Sequence, residues 1–233
     1  MSVKTLSIII PAYNEAHTIE KVLDALHVQE LAGWGKEIIV VDDGSCDGTA
    51  TVVRDVTIRQ KGCIRLISHE RNRGKGAALR TGFSGATGEA LVVQDADLEY
   101  DPRDIPLLLQ ALEDDSRISA VYGSRNINPE RQGYAPYVWG VWLLTALTNF
   151  LYGAKLTDVY TGYKLFRTEA LKRLNLCSDG FEFEAEVTVK LLKSGARIKE
   201  VPIRYNPRTF REGKKIRFRD GLVGLWTVLK NCF

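Results

Sequence analysis

Strand-like and helix-like patterns alternate strictly along the first half of this 233-residue chain. Short, apolar, β-branched runs predict strands over residues 6–10, 37–42, 64–68, 90–94 and 119–123. Helical periodicity predicts helices between them, over about 16–28, 48–60, 75–86 and 103–114. Because a helix separates each strand from the next, the connections are right-handed crossovers and the strands run parallel. The alternation therefore predicts an α/β fold built on a doubly wound, mostly parallel sheet.

The pattern changes after residue 123. A long apolar segment over 136–153 is followed by a short predicted strand at 163–167, a helix at about 182–193, a strand at 196–201 and a basic tail. The helix near 103 is the best specified, since Asp101 suits its N-cap and Pro102 its first position. The length suits one large α/β domain, and no linker divides the chain, so we predict a single domain over 1–233.

Acidic residues follow three of the predicted strands. Asp95 and Asp97 come after the fourth strand, Asp42 and Asp43 after the second, and Glu15 after the first. The carboxyl edge of a parallel sheet is where α/β proteins bind ligands, so these side chains should lie together. Crowded carboxylates favour a hard cation such as Mg2+ or Mn2+, which commonly bridges to substrate phosphates. The plain structural alternative is a set of strand-ending turns, which Asp and Gly also favour.

A basic, glycine-containing loop opens the third predicted helix. Gly74 and Gly76 permit close backbone approach, and Arg73 and Lys75 add positive charge at a helix N-terminus, where anions bind well. The functional interpretation is a clamp on a diphosphate, and the alternative is a solvated basic loop. The loop has no Walker A pattern, and no G-x-G-x-x-G follows the first strand, which argues against a dinucleotide-binding Rossmann domain.

Composition excludes several other classes. The four cysteines form no C-x-x-C pair and the three histidines no H-E-x-x-H motif, which argues against a zinc site or a disulfide framework. The apolar content of 45% and charged content of 26% are ordinary for a soluble globular protein. The N-terminus shows no signal-peptide pattern, and the cysteine usage fits a reducing cytoplasm.

Two segments bear on membrane contact. Residues 134–151 are apolar and hold two of the four tryptophans, but the apolar core is shorter than the ~20 residues that a spanning helix needs. This segment is either a buried helix or an interfacial helix. Residues 204–219 carry seven cations against one Glu, which predicts a site for anionic headgroups or a lipid phosphate. Nucleic acid could bind such a segment, but no RRM, KH or helix-turn-helix signature accompanies it, so no nucleic-acid partner is expected.

An ordered set of motifs carries a family resemblance. The motifs are Pro11-Ala12-Tyr13-Asn14-Glu15, Val41-Asp42-Asp43-Gly44-Ser45, Asn72-Arg73-Gly74-Lys75-Gly76, Asp95-Ala96-Asp97-Leu98, Gly123-Ser124-Arg125, Asp158-Val159-Tyr160-Thr161-Gly162-Tyr163 and Phe181-Glu182-Phe183-Glu184-Ala185-Glu186. Their order resembles family-2 glycosyltransferases, and more narrowly the polyprenyl-phosphate branch with dolichyl-phosphate mannose synthase and dolichyl-phosphate glucosyltransferase. The resemblance implies a GT-A fold with residues 1–123 as the nucleotide-sugar half, 124–203 as a smaller acceptor-side region and 204–233 as a basic, amphipathic, membrane-proximal tail.

The resemblance also implies roles for individual residues. The nucleotide sugar would be bound by Pro11, Tyr13, Asn14, Glu15, Asp42, Asp43, Arg73, Lys75, Gly76 and Asp95. The metal ligands would be Asp95, Asp97 and Glu99, the last at a position where mannose synthases often have Gln. The catalytic set would be Asp95, Asp97, Asp158 and Arg125. The candidates for the acceptor phosphate or lipid are Arg125, Arg131, Lys164, Arg167, Arg211, Lys214 and Lys215. Asp158 could orient the acceptor or act as a base, or simply end a strand.

The chemistry of the expected reaction agrees with these residue types. A metal ion and cationic side chains stabilise a departing diphosphate. A phosphate monoester acceptor is mostly dianionic near neutral pH and needs no strong base. We expect a metal-dependent inverting hexosyltransferase that uses GDP-mannose or UDP-glucose and a polyprenyl (dolichyl or undecaprenyl) phosphate. It would be peripheral on the cytoplasmic membrane face, either alone or with a membrane-anchored partner subunit.

Two alternatives stay open from the sequence. The acceptor could instead be a soluble small molecule or a growing saccharide. The chain could also be a catalytically silent subunit that binds a sugar nucleotide or a lipid, although the intact Asp95, Asp97, Arg73 and Lys75 argue against this.

Overall fold

The structure, a computed structural model, describes residues 3–60, 64–127, 135–208, 215 and 218–232, and it describes side chains in α5 only from Trp139 onward. Three of the predicted acceptor-side residues, Arg131, Arg211 and Lys214, lie outside the described residues. Most of the basic segment after residue 208 does so as well.

Seven strands in the described chain form one sheet. They are β1 (Lys4–Ala12), β2 (Trp34–Asp42), β3 (Ile64–Ser68), β4 (Ala90–Val93), β5 (Ile118–Ser124), β6 (Lys164–Arg167) and β7 (Arg197–Pro202). Their order is β3-β2-β1-β4-β6-β5-β7. The neighbours β3, β2, β1 and β4 pair in parallel, as do β5 and β7, whereas β6 is antiparallel to both β4 and β5. The predicted mostly parallel α/β sheet is confirmed.

The helices that the sequence predicts are also present. They are α1 (Ile19–Val28), α2 (Thr49–Arg59), α3 (Lys75–Gly85), α4 (Ile105–Glu113), α5 (Ala135–Tyr152) and α7 (Phe183–Lys193). A 3-10 turn at Pro102–Asp104 precedes α4, and Asp101 caps that turn by accepting a hydrogen bond from the Arg103 N–H. The structure adds the short α6 (Thr168–Lys172) and the C-terminal α8 (Phe218–Lys230), neither of which the sequence patterns predicted.

Helices cover both faces of the sheet, as a doubly wound fold requires. On one face, α1, α2 and α4 pack Leu23, Val53 and Leu108 against the side chains of Ile8 and Ile10. On the other face, α3 and α7 pack Leu79, Phe83, Phe183 and Leu191 against Ile9 and Ile39. Successive isoleucines of β1 thus point to opposite cores, which explains why the strand reads as a continuous apolar run.

A smaller apolar cluster holds the C-terminal helices together. Leu144 of α5, Ala185 and Val189 of α7 and Val228 of α8 are its buried centre. The Tyr152 hydroxyl of α5 also donates a hydrogen bond to the Val228 carbonyl at 2.8 Å. In the described part of the chain, no helix combines the length and apolar character that crossing a bilayer requires.

Candidate active site

A cleft of about 690 Å³ opens at the carboxyl ends of the parallel strands. Its size falls in the range of small-molecule sites, and its position at this edge is where α/β sheets bind ligands. It brings together ten of the predicted site residues: Pro11, Tyr13, Glu15, Asp43, Lys75, Asp95, Asp97, Glu99, Arg125 and Lys215. The structure places Asn14, Asp42, Arg73, Gly76, Asp158 and Lys164 outside the lining of the cleft.

The turn after β4 concentrates negative charge in the cleft. Leu98 adopts a left-handed φ of 62°, which is costly for a residue with a side chain, and the following Glu99 N–H donates to the Asp97 Oδ1 at 3.1 Å. Burial raises the pKa of Asp95 to about 6, with Lys75 opposing and Asp97 reinforcing the shift. Burial and then the charge of Glu99 raise the pKa of Asp97. These carboxylates therefore require positive charge close to them.

The structure supplies that positive charge from the C-terminal part of the chain. The Arg208 guanidinium lies 2.7 Å from the Asp97 Oδ2 and 3.2 Å from the Glu15 Oε2, and the Arg208 N–H donates to Glu99 at 2.9 Å. Lys215 lies 2.6 Å from the Glu15 Oε1. Burial alone would lower the pKa of Arg208, but Asp97 and Glu15 raise it, so the guanidinium stays charged.

The donor set of the cleft fits a hard divalent cation. Among the residues that the structure describes, no three His, Cys, Asp or Glu side chains already converge on one ion position. Asp95, Asp97 and Glu99 nevertheless line the same cleft, and Mg2+ and Mn2+ prefer such carboxylate oxygens. Burial, and after it the neighbouring carboxylates, raise the pKa values of Asp95 and Asp97, and a bound cation would offset this penalty on their ionised forms. Such an ion would take part of its coordination from these carboxylates and the rest from a bound diphosphate.

Lys75 is built into a buried chain of alternating charges. Its ammonium lies 2.8 Å from the Asp95 Oδ1 and 3.2 Å from the Glu184 Oε1. Glu184 also pairs with the fully buried Lys164 at 2.6 Å. Burial would lower the pKa of Lys75, but Asp95 and then Glu184 raise it, so Lys75 remains protonated. The sequence marked Glu184 only as part of a family motif, and the structure gives it this specific place.

Asp43 shapes the basic loop from beneath. Its carboxylate accepts hydrogen bonds from the Arg73 N–H at 2.9 Å and the Gly74 N–H at 2.7 Å, and it contacts the His69 Nδ1 at 2.6 Å. The Arg73 side chain itself is exposed, and Arg73 is not among the residues that line the cleft. A Cβ on Gly76 would collide with the Ser178 carbonyl. Gly76 therefore permits close packing of α3 against the loop before α7.

Asn14 and Asp42 also act on loop shape in this structure. Asn14 adopts a left-handed φ of 52°, donates its N–H to the Ser45 Oγ at 2.8 Å and accepts from the Cys46 N–H at 3.0 Å. The buried Asp42 accepts from the Ser45 N–H at 3.3 Å. The Asn14 bonds join the loop after β1 to the loop after β2, and the Asp42 bond shapes the loop after β2; these loops carry Tyr13 and Asp43 into the cleft.

Arg125 lines the cleft and is paired with Asp158. Its Nε and Nη2 donate to Asp158 at 2.7 and 2.8 Å, and its guanidinium lies 5.1 Å from the centre of the Tyr205 ring. Asp158 has no exposed surface, and both its oxygens face Arg125. The geometry thus gives Asp158 the task of positioning Arg125, and it does not favour Asp158 as a base that meets substrate.

Two other candidates for the acceptor phosphate, Lys164 and Arg167, do not line the cleft. Lys164 has no exposed surface, and its ammonium donates to Glu184 and to the Val159 carbonyl at 3.0 Å. Arg167 donates to the Ile118 and Leu112 carbonyls. Neither position supports direct contact with an acceptor phosphate.

The described cations of the predicted polybasic patch are largely paired within the protein. Arg204 lies 2.6 Å from Asp104, and Arg208 and Lys215 contact the acidic cleft. The sequence predicts Arg208 as part of the basic segment over 204–219 and not of the cleft. No local sequence pattern distinguishes an arginine that enters a cleft from one on the surface.

Comparison with known proteins identifies the class of protein. Residues 7–174 match the family model described as Glycosyl transferase family 2, and the chain therefore belongs to that family. It is 30% identical over 233 residues to the polyprenol monophosphomannose synthase of Mycolicibacterium smegmatis, covering 95% of this chain and 86% of the relative. It is 29% identical over 226 residues to the undecaprenyl-phosphate mannosyltransferase of Micrococcus luteus, covering 93% and 88%.

Solved structures of one enzyme share the fold. Glucosyl-3-phosphoglycerate synthase from Mycobacterium tuberculosis, in complex with phosphoglyceric acid, matches with a TM-score of 0.77 at 24% identity, over 98% of this chain and 80% of that chain. Its complex with Mn2+, uridine-diphosphate and phosphoglyceric acid matches with a TM-score of 0.75 at 25% identity, over 98% and 78%. The GT-A fold, the resemblance to the polyprenyl-phosphate branch and the activity class of glycosyltransferase are thereby confirmed.

Proposed function

We propose that this glycosyltransferase moves a hexose, with inversion, from a nucleoside-diphosphate sugar to a polyprenyl phosphate, with Mg2+ or Mn2+ as cofactor. The observation that carries the proposal is that Asp95, Asp97 and Glu99 line the same cleft as Lys75 and Arg208, which pair with Asp95 and Asp97. Relatives named for polyprenol and undecaprenyl-phosphate acceptors support the lipid side of the proposal.

The donor would lie along the carboxyl ends of β1 and β2. Pro11, Tyr13, Glu15 and Asp43 line that part of the cleft, while Asn14, Asp42, Arg73 and Gly76 would act through loop shape and charge. A bound metal on Asp95, Asp97 and Glu99 would neutralise the departing diphosphate. Lys75, Arg208 and Lys215 would supply further positive charge there, because a diphosphate can replace the carboxylates that Arg208 and Lys215 contact now.

The acceptor would approach from the Arg125 side. A phosphate oxygen of the acceptor forms the new bond to the anomeric carbon while the bond from that carbon to the diphosphate oxygen breaks. The nucleophile is already an anion, so no proton has to be removed and no general base is needed. Arg125, which is hydrogen-bonded to Asp158, would hold the acceptor phosphate against the repulsion of the donor.

A soluble acceptor is the second candidate. The glucosyl-3-phosphoglycerate synthase solved with Mn2+, uridine-diphosphate and phosphoglyceric acid shares this fold at 25% identity, and phosphoglyceric acid is a soluble molecule. Such an acid also carries a phosphate, so Arg125 could hold either kind of acceptor. The lipid acceptor is preferred because the relatives covering most of this chain are named for it.

A transfer assay with two acceptors tests the proposal. The full chain is given radiolabelled GDP-mannose or UDP-glucose with Mn2+, and either a polyprenyl phosphate in detergent micelles or phosphoglyceric acid in buffer. We expect label in the organic phase with one of the donors, and loss of transfer in EDTA and in Asp97→Asn. Label that enters only phosphoglyceric acid would support the second candidate, and full transfer in EDTA would refute the metal. Peripheral attachment to the cytoplasmic membrane face, alone or through a membrane-anchored subunit, belongs to the same proposal.

A further inference from the structure

Helix α5 exposes an apolar stripe to solvent. Trp139, Trp142 and Phe150 are 69%, 60% and 84% exposed, and Leu143 is exposed beside them. These residues recur at helical spacing on one side, whereas Leu144 and Thr148 on the other side are buried. The Trp139 and Trp142 rings pack edge to face with centroids 5.9 Å apart. One side of this apolar helix is therefore buried in the protein, and the opposite side is exposed to solvent.

Helix α8 repeats this arrangement. Leu222, Val223 and Trp226 are exposed, Trp226 at 65%, while Thr227 and Val228 face the interior. The two helices pack together through the Leu144–Val228 cluster and the Tyr152 hydrogen bond. We define the α5/α8 surface as Trp139, Trp142, Leu143, Phe150, Leu222, Val223 and Trp226. It holds seven of the twelve large apolar side chains that are exposed in the described chain.

We propose that the α5/α8 surface is the part of the protein that inserts into a lipid bilayer, with its three tryptophans at the level of the headgroups. Exposed apolar patches of this kind mark interaction sites, and tryptophan is favoured at membrane–water interfaces. Helix α5 contains no charged residue.

The charges around these helices match an anionic bilayer. Arg219 and Lys230 on α8 and Lys155 shortly after α5 are exposed, against one acidic residue on α8, Asp220, which lines the cleft. Cations near the apolar face attract anionic headgroups. By contrast, Arg204, Arg208 and Lys215 of the basic segment are paired with carboxylates within the protein. The α5/α8 surface thus offers both apolar side chains and exposed cations to an anionic bilayer.

The same surface adjoins the mouth of the cleft. Val141 of α5 and Asp220 of α8 both line the cleft; Val141 is next to Trp142 of the surface, and Asp220 is two positions from Leu222. Insertion would bring the cleft to the depth at which a lipid presents its phosphate. This last step rests on the proposed function, whereas bilayer insertion itself does not require a lipid acceptor.

Tryptophan fluorescence tests the inference, since three of the four tryptophans lie on the surface and the fourth, Trp34, lies on β2. Phosphatidylcholine/phosphatidylglycerol vesicles without polyprenyl phosphate, with acyl chains brominated near the headgroup, should quench the wild-type emission. Trp139→Ala/Trp142→Ala/Trp226→Ala should weaken vesicle partitioning by at least about tenfold. Ile58→Ala, which removes a 78% exposed apolar side chain of α2, is the matched control and should partition like wild type.

The possible results of the vesicle experiment distinguish bilayer insertion from the alternatives. Absence of quenching, or wild-type partitioning by the triple variant, would overturn the inference. Self-association of the wild type without vesicle binding, abolished in the triple variant, would reassign the surface to a second copy.

A thermal shift with the sugar nucleotide should be the same in the triple variant and wild type. Transfer to a micellar acceptor without vesicle binding would refute the inference alone, and vesicle binding without such transfer would refute the proposed function alone.

Discussion

At the scale of single residues, the cleft depends on charges that satisfy one another. Glu184 joins Lys75, which faces the 95–99 turn, to Lys164, which has no exposed surface and donates to backbone carbonyls of the 158–163 loop. An unpaired charge inside a protein is costly, so each member of this chain holds its neighbours in place. Lys75 in the cleft and the buried Lys164 beneath the 158–163 loop are therefore linked through one buried carboxylate, that of Glu184.

Glu184→Gln should destabilise the protein by about 3–5 kcal/mol, because it leaves the Lys164 ammonium buried without a counterion. Urea unfolding followed by circular dichroism measures the change. The exposed Glu169→Gln is the control and should stay within about 0.5 kcal/mol of wild type. An equally small change for both variants would contradict the structural role of Glu184.

Glu186 predicts a pH dependence of stability. Burial alone would raise its pKa, but hydrogen bonds from Lys190 and Cys177 and from the Ser178 N–H lower the pKa to about 2 from the ordinary 4.5. A lowered folded-state pKa stabilises the protein above the unfolded pKa, and this contribution is lost as pH falls from about 4.5 towards about 2. The carboxylate should contribute on the order of 3 kcal/mol at neutral pH.

The measurement is a pair of pH profiles. The difference in unfolding free energy between wild type and Glu186→Gln should be largest near neutral pH and should shrink between about pH 4.5 and about pH 3. A difference that stays constant over that interval would show that Glu186 is not ionised more readily in the folded state.

At the scale of elements, the first half of the fold could be predicted and the insertion of β6 could not. Strands β1 to β5 follow from apolar runs bounded by turn residues, since each is local in sequence. The position of β6 between β4 and β5 depends on antiparallel pairing with strands far away in sequence, such as Leu91 with Phe166 and Val121 with Leu165. Helix α8 was predicted only as part of a basic, amphipathic tail over 204–233, and its bounds were not predicted, because the prediction for this part of the chain relied on its many cations.

The basic loop before α3 offers an element-scale prediction. Gly74 adopts a φ of 99°, and a Cβ there would collide with the Asp179 carbonyl. Gly48 adopts a φ of 95° at the start of α2, but a Cβ there would meet nothing within 4 Å. Both alanine variants should therefore lose about 1–3 kcal/mol from backbone strain, and Gly74→Ala should lose more.

Comparing the two glycine variants separates the effect of loop packing, which only Gly74→Ala disturbs, from the effect of backbone strain, which both variants share. Gly74→Ala should also bind the sugar nucleotide more weakly, because Asp43 can no longer hold the Arg73 and Gly74 N–H groups in place. Gly48→Ala should bind it like wild type. Thermal unfolding and calorimetry measure the two effects, and equal losses in both variants would contradict a special packing role for Gly74.

At the scale of the whole molecule, the cleft brings together residues that are far apart in the sequence. Glu15 follows β1, Asp97 follows β4, and Arg208 comes after β7, yet all three meet. The acidic members could be predicted, because each follows a strand whose carboxyl end must lie at the same edge. Arg208 could not, because its place depends on how the chain returns across the sheet after its last strand, a feature that no local pattern encodes.

This arrangement makes Arg208 a competitor of the metal and a partner of the diphosphate, so its removal should have effects of opposite sign. Without nucleotide, Arg208→Gln should bind Mn2+ more tightly than wild type, because Asp97 and Glu15 lose the guanidinium that now neutralises them. With Mn2+ present, the variant should bind the nucleoside diphosphate more weakly, by on the order of 1.5–3 kcal/mol for a lost charge-assisted contact.

Calorimetry measures the nucleoside diphosphate affinity, and the electron paramagnetic resonance signal of free Mn2+ measures the metal affinity. The exposed Arg103→Gln, which loses a pair with Asp101 outside the cleft, controls for the change in net charge. Unchanged Mn2+ affinity in Arg208→Gln would mean that the acidic turn and Arg208 do not share a site with the metal.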